Sequence, residues 1–123
     1  MKTTLTIEES ARLIELGVDA KLASVSKYLY NKNTSQHSKV FIFTLSDILS
    51  ILPKEITTSE TIMGDDFTSD IEINWCSNVR LWKCGYTCLP RPVDVGCAPE
   101  LIDSLNQLLI YVIEQGYLKT EKK

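Results

Sequence analysis

The chain has no long apolar run, a single histidine and only five glycines among its 123 residues. Its longest uninterrupted apolar stretch, Leu108 to Ile113, covers six residues, whereas a helix needs about 20 to cross a bilayer. A membrane-spanning helix is therefore excluded. The amino terminus places hydroxyls and acids, Thr3-Thr4-Leu5-Thr6-Ile7-Glu8-Glu9, where an export signal needs apolar residues, so the expected compartment is the cytoplasm. No glycine-rich phosphate loop, serine elbow or paired-histidine metal motif is present. One histidine, His37, cannot build a metal site; between Gln36 and Ser38 it reads as a solvated residue of a polar loop. Thirteen basic against sixteen acidic residues give a net charge of −3, which opposes phosphate binding, so no nucleic acid is expected.

What the chain does have is an ordinary globular composition, 44% apolar and 24% charged. No linker or internal repeat divides it, and its length suits one domain over 1–123, with 119–123 as a frayed tail. Six acids and no base lie between Glu55 and Glu72. This reads as a solvated loop, and Asp65-Asp66 as an acidic turn without the ligand spacing of a calcium loop.

The first predicted element is a helix from Ile7 to Leu16. Thr6 and Glu9 form a capping box, Gly17 terminates it, and Ile7, Ala11, Ile14 and Val18 make its buried stripe. Val25 to Tyr30 reads as a strand, with a helical turn over Lys21 to Ser26 as the alternative, Asn31 to Lys39 as a loop, and Val40 to Phe43 as a strand covered on both sides. Thr44 and Asp47 cap a short helix ending at Leu52, before Pro53. Thr61 to Met63 is a loop or weak strand. Asp70 to Cys76 and Val79 to Tyr86 form a hairpin about a Ser77-Asn78 turn, with Trp75 opposite Arg80, Ile73 opposite Trp82, and Glu72 opposite Lys83. Trp75, Trp82 and Tyr86 then share a face with Ile71 and Ile73, which reads as core beneath the last helix in preference to an exposed aromatic platform. That helix opens at Pro99, ends at Gly116, and buries Leu101, Ile102, Leu105, Leu108, Leu109, Val112 and Ile113. Ile110 and Tyr111 fall outside the stripe and are candidate interaction residues for a homo-oligomer or a protein partner.

The four cysteines, Cys76, Cys84, Cys88 and Cys97, do not form paired C-x-x-C units. They read first as reduced thiols, with Cys84 in the core, and alternatively as the ligands of a small structural zinc module. Cys97, ahead of the Pro99 helix, is the best candidate nucleophile, which makes a cysteine-dependent enzyme the second alternative; no histidine is placed beside it in sequence.

Three stretches carry a resemblance: Leu5-Thr6-Ile7-Glu8-Glu9-Ser10; Phe43-Thr44-Leu45-Ser46-Asp47-Ile48-Leu49-Ser50-Ile51-Leu52-Pro53-Lys54-Glu55-Ile56; and Glu100-Leu101-Ile102-Asp103 through to Gln115-Gly116-Tyr117-Leu118. They resemble small hypothetical proteins of gut Bacteroidales, their phages and integrated elements. The likeness covers both ends and the centre of the chain; the cysteine-rich stretch from Cys76 to Cys97 departs from it. That group has no assigned activity, so the resemblance implies a setting and no catalytic residues. The resulting expectation is an α+β fold, a small antiparallel sheet with N-terminal, central and C-terminal helices mainly on one face. Its expected role is a non-enzymatic accessory or protein-interaction domain of a phage or mobile element, without a cofactor.

Overall fold

The computed structural model describes residues 2–53, 55–58, 67–86 and 96–116. In order, the elements are α1 (Ile7–Glu15), a single 3₁₀ turn (Ala20–Leu22), β1 (Val25–Asn31), β2 (Gln36–Ile42), α2 (Leu45–Ile51), β3 (Glu55–Thr58), β4 (Phe67–Cys76), β5 (Leu81–Tyr86), β6 (Gly96–Ala98) and α3 (Leu101–Glu114). The fold is mixed α+β, as expected. Its strands divide between two antiparallel sheets, a β1-β2 hairpin and a four-stranded sheet in the order β3-β4-β5-β6. The predicted loop or weak strand at Thr61 to Met63, Asp65-Asp66, Cys88 and the tail 119–123 lie outside the described residues.

Both predicted capping boxes form. The Glu9 amide donates to Thr6 Oγ1 at 3.1 Å while Glu9 Oε1 accepts from the Thr6 amide at 2.9 Å, and Thr44 and Asp47 repeat the exchange at α2. Each box satisfies amides that the first helical turn leaves free. Gly17 follows α1 with φ 105°, a left-handed conformation that a side chain would strain. The last helix starts later than expected: Leu101 is its first residue and Glu100 its N-cap, without a side-chain cap. Pro99 therefore belongs to the approach to α3.

The face that α1 buries also differs from the sequence reading. Ser10, Leu13 and the following Val18 are buried, Ile7 and Ile14 are half-buried, and Ala11 is exposed. Ser10 can lie inside because its hydroxyl accepts a hydrogen bond from the Phe43 amide at 3.2 Å, which offsets the cost of burying an oxygen. Hydropathy alone assigns no such role to a serine.

The β4–β5 hairpin is displaced by two residues from the expected register. Its loop is Ser77 to Arg80, and the pairs are Cys76↔Leu81, Trp75↔Trp82, Ile73↔Cys84 and Ile71↔Tyr86. Neither Ser77 nor Asn78 is the glycine that a tight two-residue turn favours; a four-residue loop with Arg80 at φ 54° closes the hairpin. A shift of two preserves the pleat, so every side chain keeps its predicted face. Cross-strand partners change: Glu72 faces Gly85, and Lys83 faces Asn74.

The core is built where α3 crosses β5 and β6 and meets α2. Ile102, Leu105, Leu108, Leu109 and Val112 are fully buried against Phe43, Ile48, Cys84 and Tyr86, each contributing roughly 1.5–3 kcal/mol. The Tyr86 hydroxyl donates to the Pro53 carbonyl, tying the sheet to the end of α2. The aromatic face of β4–β5 outruns this cover. Tyr86 is core, but Ile73 and Trp75 are exposed and Trp82 is half-buried, so the core reading holds for only part of that face. At the other end of α3, Lys2 Nζ lies 2.9 Å from Glu9 and 2.7 Å from Asp103, drawing the start of α1 onto α3.

Candidate interaction surface

The β1–β2 hairpin contributes little to the core, because only its base is covered. Val25 pairs with Ile42, which is buried, but from Ser26 to Lys39 every residue is exposed. The expected cover on both sides of Val40 to Phe43 is found at Ile42 and Phe43; Val40 and Phe41 are half-buried. The expected loop is also shorter, since Gln36 to Lys39 belong to β2.

Strand alternation assigns the hairpin's two faces. Ser26/Phe41, Tyr28/Lys39 and Tyr30/His37 lie on one; Lys27/Val40 and Leu29/Ser38 lie on the other. The first face is a ladder of rings and nitrogens. Lys39 Nζ sits 6.0 Å from the Tyr28 ring centroid and 5.4 Å from that of Phe41, within cation–π range. The His37 and Tyr30 ring centroids are 5.0 Å apart. Tyr28 is 68% exposed and Tyr30 54%, so rings that would ordinarily supply core face outward.

Beside the hairpin lies an open groove of about 300 Å³, lined by Ile7, Ala11, Ile14 and Glu15 of α1 and by Lys39, Val40 and Phe41 of β2. Its position follows from the local chain path. The Leu5 amide donates to the Phe43 carbonyl at 2.9 Å and the Leu45 amide to the Thr3 carbonyl at 2.8 Å, which sets the start of α1 beside the end of β2. Three of the four residues read as the buried stripe of α1 form one wall of this groove.

Charge is segregated along with apolarity. Residues 20–46 contain Lys21, Lys27, Lys32, Lys39 and His37 and no acid, in a chain whose net charge is −3. The exposed hairpin is thus locally cationic, although the whole chain is acidic.

The other candidate residues are dispersed. Ile110 and Tyr111 are half-buried and pack against the core cluster. Cys84 is buried, with Sγ 3.1 Å from Ser104 Oγ and 3.3 Å from the Ser104 carbonyl. Burial pushes its thiol up to about 11, while the Ser104 hydrogen bond works in the opposite direction. Cys76 and Cys97 lie on the opposite side of the pleat from Cys84, since Lys83 pairs with both Asn74 and Cys97. Among the described residues, no group of three or more His, Cys, Asp or Glu is placed to hold a metal ion. Cys97 is a β6 residue whose amide donates to Gln107 Oε1 at 2.9 Å. His37, the chain's single histidine, stands on the other sheet.

These placements predict a thiol pattern. In the native protein Cys76 and Cys97, both partly accessible, are expected to react with an alkylating reagent within minutes, and Cys84 only after denaturant is added. Peptide mapping by mass spectrometry checks this; rapid native labelling of Cys84 would contradict its packing under α3.

Sequence reasoning overlooked Tyr28, Tyr30, Lys39 and Phe41. Their signal was available: Tyr28-Leu29-Tyr30 is an unbroken apolar triplet in a strand, flanked by lysines, within a segment free of acids. A strand covered on one side would alternate instead. Among the described residues, no helix is long and apolar enough to cross a membrane. No family model, curated protein or solved structure matches the chain.

Proposed function

We propose that this chain is a non-enzymatic protein-interaction domain whose contact surface is the β1–β2 hairpin and the groove beside α1. One observation carries the reading: Tyr28 and Tyr30 are exposed on the same face of the hairpin as Phe41, which also lines the open groove beside α1. Contiguous apolar surface of this kind marks association sites, and tyrosine gives large contact area at low entropic cost. On the resemblance stated above, the proposed setting is a phage or integrated element of gut Bacteroidales.

The test compares affinity capture from native lysate by the wild-type chain, by a Tyr28→Ala/Tyr30→Ala variant, and by Trp75→Ala as an exposed aromatic control on the other sheet. The expected result is a stoichiometric partner held by wild type and Trp75→Ala and lost with the tyrosine variant. Equal recovery by all three, or loss only with Trp75→Ala, would move the contact surface elsewhere.

A further inference from the structure

Resting on that reading, we infer that the hairpin's partner is a protein segment of extended, acidic sequence that adds as a strand to the free edge of β1. Three features of the hairpin converge on this occupant.

The first is the edge itself. β1 is seven residues long and, among the described residues, pairs with β2 alone. Among the described residues, no backbone group of Val25–Asn31 bonds outside that pair. Amides and carbonyls in a row, without a proline or glycine to interrupt them, form a template for another strand. Proteins often cover, bulge or shorten such an edge; among the described residues nothing pairs with this edge of β1, and its seven-residue register with β2 carries no bulge.

The second is side-chain relief. An added strand gains affinity from main-chain hydrogen bonds and specificity from the residues flanking it on each face. Here Tyr28 and Tyr30 stand on one face of β1 and Lys27 and Leu29 on the other. Both faces therefore offer an apolar neighbour to an incoming residue, and alternate positions of the guest can pack on either side.

The third is charge, which selects among occupants. Residues 20–46 hold Lys21, Lys27, Lys32 and Lys39 and no acid, and the one acid lining the adjoining groove is Glu15 of α1. Lysines on an edge discourage pairing with a second basic edge, so two copies of this hairpin repel each other. A strand bearing Asp or Glu is attracted by the same charges. Single-stranded nucleic acid shares the attraction to lysine and the taste for exposed rings. However, the segment contains no arginine and the whole chain is acidic, and a phosphate backbone can accept from the edge amides but has no donor for the carbonyls that alternate with them. The acidic strand uses all three features.

The experiment is selection of twelve-residue peptides from a random display library on the immobilised full chain, followed by fluorescence anisotropy of the selected peptides and hydrogen exchange of the complex. Enriched peptides are expected to carry net negative charge with β-branched or aromatic residues at alternate positions. Their binding should weaken roughly tenfold with Lys27→Glu, fall with added salt, disappear when alternate peptide amides are N-methylated, and slow exchange at alternate amides of β1. Lys27→Gln, a milder change at the same exposed position, should give an intermediate loss. Failure to enrich any peptide, enrichment of neutral or basic ones, indifference to N-methylation, or protection appearing elsewhere would each overturn the inference. So would tighter binding of a twenty-nucleotide oligo-dT, which would assign the face to nucleic acid, or lysine-dependent self-association in sedimentation. If the lysate capture above still finds a tyrosine-dependent partner, the interaction surface stands and only the acidic strand falls.

Discussion

Replacing Gly96 by alanine is expected to destabilise the protein by about 3 kcal/mol or more, lowering the midpoint of thermal unfolding by roughly 10 °C. A methyl group at this position would lie 2.1 Å from the Ser104 carbonyl oxygen and 2.5 Å from Cys84 Sγ. The first of these contacts is with the backbone of α3, which cannot rotate aside. Gly96 on β6, Cys84 on β5 and Ser104 on α3 are the small residues that let the helix approach the sheet closely, and α3 supplies most of the fully buried leucines. Adding Cys84→Ala to Gly96→Ala removes the sulfur contact but leaves the carbonyl contact, so the double variant should recover little. Urea unfolding of wild type, single and double variants checks this. A Gly96→Ala protein as stable as wild type would mean that α3 stands farther from the sheet.

Asp47→Ala is expected to cost roughly 2–4 kcal/mol, the sum of a lost helix cap and lost hydrogen bonds to a charged group. Asp47 Oδ2 accepts from the Thr44 amide at 2.9 Å and from the Ser24 amide at 2.8 Å, and the Ser24 hydroxyl donates to Oδ1. One carboxylate therefore caps α2 and holds the approach to β1, 23 residues away in sequence. Burial opposes its ionisation, but the Ser24 and Thr44 hydrogen bonds outweigh burial and hold it below the usual carboxylate value of 3.8. Because the folded state binds this proton more weakly than the unfolded state, the contribution is complete above about pH 4 to 5 and is lost as pH falls through the folded-state value. Asp47→Asn should therefore lose stability at neutral pH and flatten the acid limb of the stability profile. A wild-type profile indistinguishable from that of Asp47→Asn between pH 2 and 5 would contradict the role given to this carboxylate.

The parts of the fold that were legible in sequence are those set by local chemistry. Thr6 with Glu9 and Thr44 with Asp47 form their boxes because the partners are three residues apart and need nothing else. The α3 stripe was readable because its leucine, isoleucine and valine positions recur at helical spacing: Ile102, Leu105, Leu108, Leu109 and Val112 are buried, and Leu101 and Ile113 at its two ends are half-buried. The errors arise where one pattern has two physical outcomes. Ile7, Ala11 and Ile14 make an apolar face whether it meets a core or an open groove; Ser10, a polar residue, took the inner position through its bond to the Phe43 amide. The β4–β5 faces were right and the pairing wrong, since a two-residue slip leaves the pleat unchanged and only the turn distinguishes the registers. The proposed contact surface was not read from the sequence for a related reason. Ile110 and Tyr111 looked surplus to a helix stripe but pack against the core. The exposed rings of Tyr28 and Tyr30 sit in a strand whose composition resembles that of buried ones.

The most direct test of the hairpin's role is site-specific photo-crosslinking in native lysate, with benzoylphenylalanine replacing Tyr28 in one protein and Leu49 in another. Leu49 is an apolar residue of α2 that is itself 42% exposed. The account predicts one discrete adduct with a second protein from position 28 and none from position 49. Equal adducts from both positions, or an adduct from position 49 alone, would contradict it.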